Sequence, residues 1–123
     1  MGRPVAVRPM GPLAEDIAYV RDRIVQAYKP ERIILFGSAA TGTAREDSDL
    51  DLLIIKRTRK PYFQRIREVI RAIHIWRSTD IFVLTPDELE RGTSQNRFFL
   101  NREILAKGKV IYDRAAYHRR EVD

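Results

Sequence analysis

The stretch RIILFGSAATGTAREDSDLDLLII, residues 32–55, contains two apolar runs that predict two strands of one buried sheet. The pair Gly37-Ser38 directly follows the first run, and after ten further residues Asp49 and Asp51 open the second. Side chains alternate along a strand, so the two aspartates face the same side. Neighbouring carboxylates repel each other, and a divalent cation relieves that repulsion. The stretch therefore indicates metal-assisted chemistry on a phosphate.

The composition fits one small globular domain. The 123 residues suffice for a single core, and the 44% of hydrophobic residues excludes a disordered chain. No apolar run approaches the ~20 residues of a transmembrane helix, and we expect neither a membrane segment nor a signal peptide. The absence of cysteine excludes disulfides and thiolate chemistry, and it makes the cytoplasm the expected location.

The chain is basic: it has 23 Lys and Arg residues against 17 Asp and Glu residues, which gives a net charge of +6. Such a balance favours anionic partners, namely nucleotides, nucleic acid or an acidic protein surface. Most of the cations are arginines, whose forked guanidinium suits phosphate groups. Binding to nucleic acid is therefore one possibility that the sequence leaves open.

Hydrophobic periodicity divides the chain into helices and strands, between a flexible N-terminal tail at 1–12 and a basic C-terminal tail at 114–123. It predicts helices over 13–28, 61–73 and 96–107, and a short helix that begins at Thr85-Pro86 and ends near Gly92. The helix over 61–73 carries an apolar stripe of Phe63, Ile66, Val69, Ile70 and Ile73, and the short helix begins with a capping box in which Glu88 follows Thr85 by three residues. It predicts strands over 32–36, 50–55, 79–85 and 109–112. This order predicts an α/β fold in which helices flank a mixed sheet within a single domain, residues 13–113.

The connections between strands bring a third carboxylate to the candidate site. The second and third strands are joined by a helix, so we expect them to be parallel. Parallel neighbours begin at the same edge of a sheet, which would place Asp80 beside Asp49 and Asp51. The Gly37-Ser38 turn reaches that edge if the first strand runs antiparallel to the second.

The densest basic run, Lys56–Lys60 (KRTRK), is expected at the opposite edge of the sheet. It follows the second strand, so it would lie roughly 15 Å from Asp51 at ~3.3 Å per residue. We therefore do not expect it to bind the nucleotide phosphates. It is either a solvated loop or a contact for a partner or a nucleic-acid backbone.

The segment LFGSAATGTAREDSDLDLLI resembles the signature of the DNA polymerase beta-like nucleotidyltransferase superfamily: Gly-Ser, ten residues, Asp-x-Asp, and a further acid on a later strand. The resemblance runs from about Arg32 to Tyr112 and implies a polymerase beta palm-like fold. The small size and the lack of a separate substrate domain resemble the minimal nucleotidyltransferase (MNT) branch. Members of that branch are often encoded beside a HEPN-domain protein as a toxin–antitoxin pair.

The resemblance implies a catalytic and metal-binding role for three carboxylates, Asp49, Asp51 and Asp80. They would hold Mg²⁺, a hard cation that prefers oxygen ligands, with two ions expected. Asp80 would also accept the proton of the attacking hydroxyl. A nucleoside monophosphate, most simply AMP from ATP, would move to the acceptor and pyrophosphate would leave.

The resemblance also implies a phosphate-binding role for the turn before the carboxylates. Gly37 permits close approach of the backbone, and Ser38 offers a hydroxyl and an N–H to the triphosphate. Family members often carry arginines just after this pair, but this chain has Ala39 and Thr41 there. Arg45 is the expected source of positive charge in their place.

Besides the nucleic-acid binding that the basic charge leaves open, two antitoxin functions therefore remain, one catalytic and one that acts by binding. In the first, the chain is an antitoxin that transfers a nucleotide to a hydroxyl on a HEPN toxin. In the second, it is a catalytically weak or inactive antitoxin that neutralises its partner by binding alone, as the absence of the arginines suggests. A homo-oligomer is compatible with both, because a small chain with an open site can complete it with a second subunit.

Overall fold

The structure, a computed structural model, describes residues 13–74, 78–94 and 106–116. Its elements are α1 (Ala14–Tyr28), β1 (Arg32–Phe36), α2 (Ser38–Thr41), β2 (Leu50–Ile55), α3 (Tyr62–Ala72), β3 (Thr79–Leu84), α4 (Pro86–Ser94) and β4 (Lys109–Asp113). All predicted elements within these residues occur, with ends that differ by at most two residues. The short helix α2 was not predicted. The helix predicted over 96–107 and both predicted tails lie almost entirely outside the described residues.

The four strands form one mixed sheet in the order β3-β2-β1-β4. Strand β1 is antiparallel to both β2 and β4, and β2 is parallel to β3. These directions confirm the expected α/β fold with a mixed sheet flanked by helices. They also confirm that the beginnings of β2 and β3 and the end of β1 lie at one edge.

Apolar side chains cover both faces of this sheet. Alternate residues of β1 and β2, among them Ile33 and Leu52, pack with helices α1 and α3. The intervening residues, among them Phe36 and Leu53, form a second cluster with Leu89 of α4. Burial on both faces explains why these strands read as nearly continuous apolar runs instead of alternating ones.

Helix α3 buries only part of the apolar stripe that its sequence predicts. The predicted apolar stripe comprised Phe63, Ile66, Val69, Ile70 and Ile73. In the structure Phe63 is 79% exposed and Ile70 is 54% exposed, so this part of the prediction is wrong. Ile66, Val69 and Ile73 of the stripe do pack into the core, and Arg65 and Ala72 are buried beside them. The physical reason is that Arg65 turns inward to meet polar partners, an arrangement that hydrophobic periodicity does not register.

Arg65 is the one charged side chain that is buried among the described residues, at 7% exposure. Its Nε donates to the carbonyl of Lys60 at 2.8 Å, and one Nη donates to the carbonyl of Val83 at 3.2 Å. The guanidinium also forms a bidentate ion pair with Glu88, at 2.7 and 3.2 Å. The side chain thereby joins the start of α3, strand β3 and helix α4.

Helix α4 begins with the capping box that its sequence predicted. The Thr85 hydroxyl accepts the N–H of Glu88 at 3.1 Å, and the Glu88 carboxylate accepts the N–H of Thr85 at 2.9 Å. The hydrogen bonds from Arg65 and from Thr85 lower the pKa of Glu88, against its partial burial. Glu88 therefore stabilises the folded state mainly as a carboxylate.

No helix in the described ranges is both long and apolar enough to cross a lipid bilayer.

We predict that Glu88→Gln lowers the free energy of unfolding by roughly 2 kcal/mol at pH 7, measured by urea denaturation. Glutamine retains a capping oxygen but leaves the buried Arg65 charge without its counter-ion. Because the pKa of Glu88 is lowered in the folded state, the difference from wild type should be constant above the ordinary value of 4.5. It should shrink as the pH falls through the lowered folded-state value.

Asp87→Asn is the matched control, since it removes a carboxylate from the same turn. Asp87 is exposed and pairs with Arg91 at 3.6 Å on the surface, where such pairs contribute about 0–0.5 kcal/mol. Equal losses from the two substitutions would contradict the role assigned to the buried pair.

Candidate active site

Two carboxylates meet where β2 and β3 begin. Asp51 and Asp80 are directly opposite each other in the parallel register, and their side chains lie close enough for Asp80 to raise the pKa of Asp51. The structure therefore brings together two of the three predicted carboxylates, at the edge where the sequence placed them.

Partial burial, the hydrogen bond to Asp80 and the negative charges of Asp80 and Asp49 raise the pKa of Asp51 to about 6. Burial is the largest of these causes, and the surroundings explain it. Asp51 lies beside Phe36 in the register, and the Phe36 ring contacts that of Phe82, with centroids 5.9 Å apart. The pair thus lies at the end of an apolar surface, where charge is poorly solvated.

The backbone of Gly37 passes directly against the Asp51 carboxylate. Its φ of 71° and ψ of −155° lie in a region of backbone conformation that residues other than glycine rarely adopt. A Cβ at this position would overlap Asp51 Oδ2 and lie 3.1 Å from its Cγ. The glycine is therefore required both for the backbone conformation and for the space that the carboxylate occupies.

Helix α2 begins immediately after this glycine, with Ser38 as its first residue and Gly42 as its left-handed C-cap. The carbonyl of Gly37 accepts the N–H groups of Ala40 and Thr41 at 3.1 and 3.2 Å. The two glycines that flank the segment Ser38–Thr41 were the available sequence signal for this turn of helix. The helix places Ser38 one residue from the carboxylate contact.

The other predicted site residues lie in and after the loop that precedes β2. Asp49 is exposed and influences Asp51 through its charge. Arg45 is exposed, its backbone N–H donates to Ser48 Oγ at 2.8 Å, and its guanidinium makes no ion pair within the described residues. The roles of Asp49 as a third metal ligand and of Arg45 as a phosphate contact therefore stay predictions.

The chemistry of the donors fits Mg²⁺. The described parts of the chain contain no group of three or more histidine, cysteine or carboxylate side chains arranged to hold a metal ion. Mg²⁺, however, is commonly held by one or two carboxylates, with substrate phosphates and water completing its shell. The Asp51–Asp80 pair supplies that number of carboxylates, and a cation there would relieve their repulsion.

The pattern of the family described as "Polymerase beta, Nucleotidyltransferase" matches residues 21–117, which is most of the chain. The chain belongs to this family. The match includes Gly37, the Asp51–Asp80 pair and all four strands. Family membership supports nucleotidyl transfer as the general class of activity.

A solved structure, described as that of a candidate nucleotidyltransferase from Sulfolobus solfataricus, has the same fold. It superposes with a TM-score of 0.57 at 19% sequence identity, over 85% of this chain and 88% of that one. At this identity the likeness shows the fold alone. No curated protein matches the chain.

We predict that Gly37→Ala lowers the free energy of unfolding by at least twice as much as Gly42→Ala, measured by urea denaturation. Both glycines have positive φ, but a Cβ at Gly42 meets nothing within 4 Å. Gly42→Ala should therefore cost only the backbone term, about 1–2 kcal/mol. Gly37→Ala adds the steric overlap with Asp51 to this backbone term. Equal losses of unfolding free energy in the two variants would contradict the contact between Gly37 and Asp51.

We predict a pH dependence of stability that Asp51→Asn removes. The folded protein holds the Asp51 proton more tightly than the unfolded chain, so the stabilisation is complete below pH 3.8 and is lost as the pH rises through about 6. In EDTA at pH 7.5, the Asp51→Asn protein should have the higher Tm. A wild-type Tm that is no lower than that of the variant would contradict the like-charge arrangement.

Proposed function

We propose that this protein is a Mg²⁺-dependent nucleotidyltransferase that moves AMP from ATP to a hydroxyl group of a partner HEPN toxin, and so acts as its antitoxin in the cytoplasm. The observation that supports this most directly is the Asp51–Asp80 pair beside the bare backbone of Gly37. Membership of the nucleotidyltransferase family supports the reaction class.

Each residue of the site has a stated task in this reaction. Asp51 and Asp80, with Asp49 as a further ligand, would hold Mg²⁺, which when bound neutralises charge on the attacking and leaving oxygens. Gly37 allows the triphosphate to approach the backbone, and Ser38 offers it a hydroxyl and an N–H. Arg45 would contribute positive charge from the loop before β2.

The chemical step is a displacement at the α-phosphorus of ATP. The acceptor oxygen forms a bond to this phosphorus, and the bond from the phosphorus to the bridging oxygen of the β-phosphate breaks. The proton of the acceptor hydroxyl passes to the carboxylate of Asp80, and pyrophosphate leaves. No oxidant or other co-reactant is needed.

The test is incubation of the protein with α-labelled ATP, Mg²⁺ and the HEPN protein encoded beside it. We expect label on the HEPN protein, and at least a 100-fold loss of transfer for Asp51→Asn and for Asp80→Asn, on the order of magnitude of losing one essential stabilising group. Asp47→Asn is the control, because this exposed loop acid lies near β2 but outside the site. Asp49→Asn tests the third ligand. Failure of wild-type protein to label any acceptor would contradict the proposal.

One observation favours the second candidate, an antitoxin that acts by binding alone. Where family members often have arginines, Ala39 is half-buried and the Thr41 hydroxyl lies 3.4 Å from the carbonyl oxygen of Gly37. Neither can neutralise a phosphate. Neutralisation of the toxin by an Asp49→Asn, Asp51→Asn double variant would support this candidate. Loss of neutralisation with the complex intact would support catalysis.

A further inference from the structure

An open cavity of about 470 Å³ lies at the end of the sheet opposite to the carboxylate pair. The ends of three strands form it. Arg32 opens β1 and lies beside Ile55 of β2 on one side and Asp113 of β4 on the other. The strand from Asp51 to Ile55 separates the two regions by roughly 13 Å at ~3.3 Å per residue.

Three arginines from separate segments converge on this cavity. Arg32 comes from β1, Arg57 from the chain just after β2, and Arg114 from the chain just after β4. Two carboxylates, Glu31 and Asp113, also line it. The formal charge of the lining is therefore three less two, or +1.

Both carboxylates of the cavity are engaged by backbone amides. Glu31 Oε2 accepts the N–H of Arg57 at 2.8 Å. Asp113 Oδ1 accepts the N–H groups of Ala115 and Ala116 at 3.0 and 3.4 Å. The acids thus hold the backbone that surrounds the cavity. The guanidinium groups of Arg32 and Arg57 make no ion pair with any described residue.

Arg57 differs in this respect from both lysines of the basic run Lys56–Lys60. Lys56 Nζ donates to the carbonyl of Tyr28 at 2.6 Å and closes the end of helix α1. Lys60 forms an ion pair with Glu68. The lysines of this run therefore have structural partners within the protein, while Arg57 lines the cavity.

We propose that this cavity binds a phosphate group, carried either by a free nucleotide or by a nucleic-acid strand, through Arg32, Arg57 and Arg114. Guanidinium forks match phosphate oxygens in pairs. The volume falls within the range of small-molecule sites, about 300–1,000 Å³, and Ile55 and Pro86 add an apolar wall. The site is separate from the proposed reaction centre and does not depend on nucleotidyl transfer.

The test is titration calorimetry in EDTA, so that metal-dependent binding at the carboxylates does not contribute. Pyrophosphate, ATP and a 12-nucleotide single-stranded RNA without terminal phosphates are titrated separately. We expect at least one of them to bind, and Arg32→Gln and Arg57→Gln each to weaken it about tenfold, the effect of one lost charge-assisted contact. Unchanged Tm values would show that the variants are folded.

Arg67→Gln is the matched control, because it removes an exposed arginine of helix α3 outside the cavity. Binding of pyrophosphate or ATP that requires Arg32 and Arg57 supports a site for a free nucleotide. Binding of the RNA alone with the same requirement supports a site for a strand. The proposal is overturned if no probe binds, if Arg67→Gln weakens binding as much, or if Asp51→Asn abolishes it.

Discussion

The repulsion between Asp51 and Asp80 is the constraint on which the arrangement of the sheet edge depends. The parallel register of β2 and β3 forces the two carboxyl groups together. The pKa shift of Asp51 from 3.8 to about 6 corresponds to at most about 3 kcal/mol; burial is its largest cause, the charges of Asp80 and Asp49 add to it, and solvent screening reduces it. Burial of the four following side chains, Leu52 to Ile55, contributes roughly 1.5–3 kcal/mol each. The apolar strand therefore holds the charged pair in place.

The ion pair of Arg65 with Glu88 stabilises strand β3, the neighbour of β2 in the sheet. Strand β3 carries Asp80 and lies at the outer edge of the sheet, where unpaired backbone groups invite association with other chains. Arg65 bonds to the carbonyl of Val83 and is fixed there by Glu88 at the start of α4. A buried charge without a partner destabilises the folded state. Arg65 therefore needs both β3 and α4 in place, and its contacts link the stability of these two elements.

The strands and the carboxylate pair could be predicted from the sequence because both follow from local rules. Apolar runs bounded by turn residues gave the strand ends of β1 and β2, and the helical connection gave the parallel direction that brings Asp80 to Asp51. The burial of Arg65 in α3 could not be predicted, since its partners Val83 and Glu88 are distant in the chain. Helix α2 was missed because four residues are too few to show a helical period. Sequence also could not show that Lys56 and Lys60 are engaged internally while Arg57 is not.

The alternation of side chains along β1 and β2 places both charged regions on one face of the sheet. Arg32 and Phe36 share a face with Asp51 and Ile55, so arginines lie at one end of this face and carboxylates at the other. Opposite charges this close would neutralise each other if solvent did not intervene. At roughly 13 Å, however, they lie beyond the screening length of about 8 Å at physiological ionic strength. Each end of the face can therefore bind a ligand of opposite charge with little electrostatic influence from the other end. The packed strands between the two ends also resist movement of one end relative to the other.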